Sequence, residues 1–236
     1  MAVTIPLRHE LKFIINEKQH ILLANALENF LTPDRFGGRT EKDYHIRSLY
    51  FDTVFDDALY DKLNGVKDRD KYRIRIYNLR DDDIKLECKT KVGSLISKRS
   101  VSIPKLLCEQ LIAGDPDGLE QTKSGLLQDM YREMKTRLLR PAVLVDYVRE
   151  AYISPIETVR VTFDKQLRTG MYSHDLFSST VPMIPPFDHD EIVLEVKFDH
   201  VLPDHLRDVI STYVENAQQV AVSKYTWCRR FEEKEY

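Results

Sequence analysis

The chain has 236 residues, a formal net charge of −3, 31% charged residues and no low-complexity stretch, so it is read as one domain over residues 1–236 and not as a basic nucleic-acid coat. Its three cysteines, Cys88, Cys108 and Cys228, lie far apart without CxxC spacing, which argues against a zinc site or a disulfide framework and fits a reducing cytoplasm. The first residues lack an apolar run of signal-peptide length, and no segment approaches the roughly 20 apolar residues of a membrane span. A soluble cytoplasmic domain is expected, not itself inserted in a membrane, with a membrane protein left open as a partner.

Residues 8–15 alternate Glu10 and Lys12 with Leu11 and Phe13, the pattern of a strand. Helical periodicity covers 17–31 and ends at Pro33. A second strand, 45–52, puts Arg47, Leu49 and Phe51 on one side and Ile46, Ser48 and Tyr50 on the other. A short helix over 54–63 runs into Asn64-Gly65, a stop signal. Strands at 71–78, 84–92 and 96–102 then form an antiparallel meander, turned by Arg80-Asp-Asp-Asp83 and by Gly93. Helices are predicted over 104–112 and 123–139, strands over 141–152, 157–167 and 191–198, and helices over 203–215 and 222–231. The proline-bearing stretch 173–190 reads as a loop with one short edge strand. About eight strands without βαβ alternation predict an α+β fold in which an eight-stranded antiparallel sheet closes into a tunnel or barrel, with helices packed outside.

The charges are sorted onto strand faces. In Lys71-Tyr-Arg-Ile-Arg-Ile-Tyr77, Arg73 and Arg75 share one face, and Tyr72, Ile74 and Ile76 the other. Glu10-Leu-Lys12, Lys85-Leu-Glu87-Cys-Lys89 and Glu195-Val-Lys197 each place a carboxylate beside an ammonium. A single Glu-x-Lys is most often a solvated sheet face, but its repetition with Arg149 and Arg160 points inward. Carboxylates suit a hard divalent ion, while Lys and Arg suit phosphate oxygens, so together they describe a metal–triphosphate site. No GxxxxGK[ST] loop is present, and phosphates would have to be held by side chains. His9, His45 and His189 read as surface or supporting groups. Ser173-His174-Asp175 is a loop tripeptide rather than a triad, which is assembled in space.

Glu10-Leu-Lys12, Ser48-Leu-Tyr-Phe-Asp52, Lys71-Tyr-Arg-Ile-Arg75, Glu87-Cys-Lys89, Lys98, Tyr147-Val-Arg149-Glu-Ala-Tyr152, Val159-Arg-Val-Thr-Phe-Asp164, Leu194-Glu-Val-Lys197 and Ser223-Lys-Tyr225 occur in one order. That ordered series, spanning about 8–230, resembles the polyphosphate polymerase domain of the vacuolar transporter chaperone (VTC) proteins, within the triphosphate tunnel metalloenzymes. The likeness is to the free-standing bacterial members, since the sensing and membrane domains of the eukaryotic proteins have no counterpart in the sequence. The resemblance implies an eight-stranded tunnel and transfer of the ATP γ-phosphate to phosphate or polyphosphate, with Mn²⁺ or Mg²⁺ and release of ADP. It implies that Lys12, Arg73, Arg75, Lys89, Lys98, Arg149 and Arg160 are the catalytic tunnel cations. By the same likeness Lys224 closes over the phosphates from the last helix, and Lys197, Arg47 and Lys85 complete the substrate-binding cations. Glu195 takes the place of the metal-binding carboxylate, with Glu10 and Glu87 as weaker candidates. A triphosphatase using water as acceptor and a non-catalytic polyphosphate-binding module are the alternatives.

Overall fold

The computed structural model describes residues 8–34, 42–93, 95–155, 158–187, 191–214, 217, 219–221 and 223–233. Its first half contains β1 (His9–Ile15), α1 (Glu17–Leu27), the two-residue β2 (Thr32–Pro33), β3 (Asp43–Asp52), α2 (Asp57–Leu63), β4 (Arg69–Tyr77), β5 (Lys85–Val92) and β6 (Leu95–Ser102). The second half contains α3 (Lys105–Ile112), α4 (Gly125–Arg137), β7 (Arg140–Ile153), β8 (Arg160–Thr169), β9 (Ile192–Phe198), α5 (Asp204–Val214) and α6 (Lys224–Glu233). The expected limits at Glu157, Glu215 and Val222, and His189, lie outside the described residues.

Eight strands pair antiparallel in the order β1-β9-β8-β7-β3-β4-β5-β6, with β2 set aside against β7. The sheet curls until its edges touch: Arg8 and Ile96 exchange backbone hydrogen bonds of 3.0 and 3.4 Å. The eight-stranded antiparallel tunnel is therefore present as a strongly curled sheet joined at one bridge.

Two apolar layers cover its convex side. Tyr72, Ile74, Ile76, Leu86 and Cys88 pack against Cys108 and Leu111 of α3 and Leu126, Met130 and Met134 of α4. Phe163, Leu194 and Val196 pack against Leu23 and Leu27 of α1 and Leu206 and Ile210 of α5. Each fully buried aliphatic or Phe side chain of this kind contributes about 1.5–3 kcal/mol relative to exposure. α6 differs, because it lies over the concave face. There Ile46, Tyr50, Val143 and Val145 are apolar on the same side as Tyr147, and Tyr225 and Cys228 of α6 and Leu59 of α2 bury them.

Local chemistry sets the helix ends. Asn16 and Gln19 cap α1 reciprocally at 2.9 and 3.0 Å. α1 stops at Leu27, short of the expected 31, because Phe30 and Leu31 donate back to the Leu27 carbonyl in a tight turn. α2 starts at Asp57 rather than 54, where the buried Asp52 carboxylate accepts from the backbone N–H groups of Ala58 (2.8 Å) and Leu59 (3.1 Å). α4 ends at Leu138, whose φ of 53° is left-handed. Ile184, in the long loop, pairs with Thr169 at the end of β8, at 2.8 and 2.9 Å.

Candidate functional site

Strand alternation brings side chains from all eight strands to the concave face. β4 supplies Lys71, Arg73 and Arg75; β5 supplies Glu87 and Lys89, and β6 supplies Lys98. Arg73 meets Glu87 through Nε at 2.7 Å and Nη2 at 2.6 Å, and Lys98 meets the other carboxylate oxygen at 2.5 Å. Arg75 lies 3.8 Å from Glu87 and donates to Ser48 (3.2 Å) and to the Tyr147 hydroxyl (3.1 Å). Arg73 also donates to the Tyr50 hydroxyl at 2.8 Å. Burial pushes Glu87 upward, but Arg73, Arg75 and Lys98 prevail and hold it well below the usual carboxylate range.

Across the lumen, Arg149 of β7 grips Asp164 of β8 at 2.5 and 2.8 Å, and Lys224 of α6 reaches the same carboxylate at 2.5 Å. A third cluster joins β1 and β9 to β5. Glu10 lies 2.7 Å from Lys89, 3.5 Å from Lys12 and 3.8 Å from Lys197, while Glu195 contacts Lys197 and lies 4.0 Å from Lys12. Burial raises Glu195, and Lys197, Lys12, a hydrogen bond with Glu10 and Lys89 together bring it well below its ordinary value. Burial and the like charges of Lys12 and Lys197, only partly offset by Glu10 and Glu195, pull Lys89 down to about 7.

Lys12, Lys71, Arg73, Arg75, Lys89, Lys98, Arg149, Lys197 and Lys224 thus face Glu10, Glu87, Asp164 and Glu195. Cations outnumber carboxylates on this wall, and a half-desolvated cationic excess is relieved by a polyanion.

The carboxylates differ in what they can accept. Glu87 and Asp164 are saturated by their partners. Among the described residues Glu10 Oε1 and Glu195 Oε1 are buried without a directed hydrogen bond, Glu10 Oε1 lying 3.5 Å from Lys12 and 3.8 Å from Lys197 and Glu195 Oε1 touching Lys197. Two adjacent carboxylates with spare lone pairs are the protein share expected for Mg²⁺ or Mn²⁺, which take their remaining ligands from phosphate and water. Glu10 and Glu195 therefore fit a divalent ion, whereas Glu87 serves the arginines. Among the described residues there is no group of three or more His, Cys, Asp or Glu side chains that could hold a metal by themselves.

Three residues expected in the site lie apart from its centre. Arg47 is on the opposite face of β3: it donates to Asp146 at 2.9 Å and to the Ser178 carbonyl, and is 3% exposed. Lys85 shares the inner face but sits at the rim, on Ser102 at 2.7 Å and Asp83 at 2.8 Å. Arg160 is also at that rim, tied to Asp34 and to the Tyr44 hydroxyl at 3.0 Å. Five inner residues escaped the sequence reading of the site: Lys71, Asp164, Tyr50, Tyr147 and Thr162. Asp164 was findable, since strand parity from Arg160 puts Thr162 and Asp164 on the same face. The tyrosines carried no such signal, because nothing in a sequence marks a phenol that hydrogen-bonds an arginine.

The VTC domain family matches residues 7–231. No curated protein matches the chain significantly. Among solved structures, the chain is similar to a putative adenylate cyclase from Bacillus halodurans, at 12% identity and TM-score 0.49 over 92% of this chain and 95% of that one. It is also similar to one from Vibrio parahaemolyticus, at 11% identity and TM-score 0.48 over 94% and 97%. An RNA triphosphatase from Schizosaccharomyces pombe aligns at 11% identity and TM-score 0.33, over 97% and 82%. With the family matched over nearly all of its length and the tunnel wall in place, the chain belongs to the VTC domain family.

Proposed function

We propose that this domain is a polyphosphate polymerase that moves the γ-phosphate of ATP onto phosphate or the end of a polyphosphate chain inside the tunnel. The observation that carries this reading is the inner wall itself: three clusters of cations, on Glu87, on Asp164 and on the carboxylate pair Glu10 and Glu195, the last of which retains acceptor capacity. Family membership supports triphosphate chemistry.

The chain offers no covalent nucleophile among its thiols. Burial pushes all three up, Cys88 to about 11 and Cys108 to about 12 in the outer core, and Cys228, packed beneath α6, upward as well. The acceptor phosphate is then the nucleophile. Its terminal oxygen forms a bond to the γ-phosphorus, the bond from that phosphorus to the β–γ bridging oxygen breaks, and ADP leaves with the bonding pair. Arg73, Arg75 and Arg149 present planar guanidinium groups that bind phosphate oxygens in pairs, and Lys12, Lys98 and Lys224 add point charges along the chain. These groups hold the two phosphates in line and neutralise charge that grows on the transferring group. Glu195 and Glu10 would hold a divalent ion, Mn²⁺ or Mg²⁺, which would supply further neutralisation of the phosphate oxygens.

Purified protein incubated with ATP and Mn²⁺ tests this, with ADP, free phosphate and long-chain polyphosphate followed together. Chains accompanied by stoichiometric ADP are expected. Free phosphate without chains would make the domain a triphosphatase, and tripolyphosphate binding without turnover would make it a binding module.

A further inference from the structure

The inner wall holds an uncharged polar group that the chemistry above does not use. Thr162 of β8 is fully buried, and its Oγ1 has no hydrogen-bond partner among the described residues. Val161 and Phe163 on either side pack into the outer core, so strand alternation turns Thr162 toward the lumen with Asp164. A desolvated hydroxyl left unpaired costs stability. Valine has nearly the same shape, suits a strand at least as well and carries no such cost. Packing alone therefore does not account for a threonine here.

Its neighbours narrow what the hydroxyl faces. In the ladder Thr162 stands opposite Ala151 of β7, which has no polar side-chain atom, and opposite Glu195 of β9. Along β8 its same-face neighbours are Arg160, a donor tied to Asp34 and Tyr44, and Asp164, saturated by Arg149 and Lys224. Among these four described neighbours only Glu195 keeps an acceptor, Oε1, without a directed hydrogen bond, and the threonine donor does not use it. Glu10, diagonal to Glu195 across the β1–β9 ladder, keeps another. Three adjacent strands thus each present a buried oxygen without a directed hydrogen bond: Thr162 Oγ1, Glu195 Oε1 and Glu10 Oε1. Such a convergence of unsatisfied oxygens is what a bound ion with its water leaves behind.

We propose that Thr162 is a positioning residue for the divalent ion: its hydroxyl holds one water of the ion bound by Glu10 and Glu195, and so fixes where that ion sits against the phosphate chain. The role rests on the metal placement proposed above, and not on which acceptor receives the phosphate. A glutamate carries its oxygens farther from the backbone than a threonine does, so the hydroxyl reaches a water on the ion and not the ion itself. Mg²⁺ and Mn²⁺ suit this because Mg²⁺ in particular keeps several waters when it binds through one or two carboxylates. Water polarised by the cation donates to Oγ1, which leaves the threonine O–H to donate to the Glu195 carboxylate, and both orphan atoms are satisfied.

The test is Mn²⁺ binding to the full chain in the presence of tripolyphosphate, read by electron paramagnetic resonance, for wild type, Thr162→Val and Thr162→Ser. Thermal melting of each protein free of metal accompanies it, and deuterium modulation of the Mn²⁺ signal in D₂O counts the exchangeable waters on the ion. Thr162→Val should melt no lower than wild type, because an unpaired buried hydroxyl has gone. It should nevertheless bind Mn²⁺ at least tenfold more weakly and show one water fewer. Thr162→Ser keeps the hydroxyl and should stay within about threefold of wild type, with the water count unchanged. Wild-type Mn²⁺ affinity in the valine variant would overturn the role. So would a valine variant that fails to fold, since the hydroxyl would then be structural, and so would equal weakening in both variants, which traces the loss to packing. If wild type binds no Mn²⁺ beside tripolyphosphate, the metal placement fails and the role of Thr162 with it. If the variants separate as expected but wild type makes no chains from ATP, the polymerase reading fails and the role of Thr162 stands.

Discussion

Arg149 on β7 and Asp164 on β8 stand opposite each other in register and are joined by two parallel hydrogen bonds of 2.5 and 2.8 Å, with Lys224 on the same carboxylate. The carboxylate lies between the two cations and fastens α6 to the wall. Asp164→Asn should destabilise the domain by about 3–5 kcal/mol, because two buried cations lose their counter-ion. Tripolyphosphate should return a larger share of that loss to the variant than it adds to wild type, since an anion now fills an empty place. Urea unfolding with and without tripolyphosphate measures both quantities, and equal stabilisation of the two proteins would mean that phosphate does not reach this pair.

Arg47 and Arg75 make the opposite comparison. Both are buried arginines on adjacent strands, yet Arg47 meets Asp146 on the convex side while Arg75 faces the lumen. Arg47→Met should cost about 3–5 kcal/mol of stability and leave polyanion affinity of the folded protein unchanged. Arg75→Met should weaken tripolyphosphate binding at least tenfold. If Arg47→Met lost affinity without losing stability, its placement outside the tunnel would be wrong.

The same pair shows what the sequence disclosed. A strand has a period of two, so the separation of Arg73 and Arg75 from Ile74, and the likeness of Glu10-x-Lys12 to Glu195-x-Lys197, were readable directly. Parity groups residues without saying which group faces inward. On β3 both groups contain apolar residues, Leu49 and Phe51 outward and Ile46 and Tyr50 inward, so charge was the remaining guide, and Asp146 had already matched the charge of Arg47. The docking of α6 on the concave face was hidden for a related reason. Val143 and Val145 share the inner side with Tyr147, and only the closed sheet reveals that this patch needs a cover.

Glu150 supplies a pH dependence from the outer face. It accepts from His20 at 2.7 Å, Tyr152 at 2.5 Å and Lys165 at 3.2 Å. Burial raises it, but these partners draw it from 4.5 down to about 2. A carboxyl whose folded pKa is depressed binds fewer protons when folded, so its contribution is complete above about 4.5 and is lost as pH falls toward about 2. Glu150→Gln should lower stability at pH 7 and flatten the stability curve between those values. A variant with wild-type slope across that window would exclude Glu150 as a source of acid sensitivity.

The three carboxylates Glu195, Glu10 and Glu87 should separate when each is replaced by glutamine. Glu195→Gln removes a ligand from the pair with spare acceptor capacity and leaves Lys12 and Lys197 in place. Mn²⁺ binding, read by electron paramagnetic resonance in the presence of tripolyphosphate, should weaken at least tenfold, and turnover of ATP should fall to background. Polyanion binding without metal should hold or tighten, because a negative charge has left a phosphate-facing wall. Glu10→Gln should behave alike, since among the described residues Glu10 Oε1, like Glu195 Oε1, is buried without a directed hydrogen bond. Glu87→Gln should instead spare Mn²⁺ affinity while disturbing Arg73, Arg75 and Lys98, which it now neutralises. Loss of Mn²⁺ binding in the Glu87 variant, with Glu195→Gln unaffected, would move the metal to the other side of the tunnel.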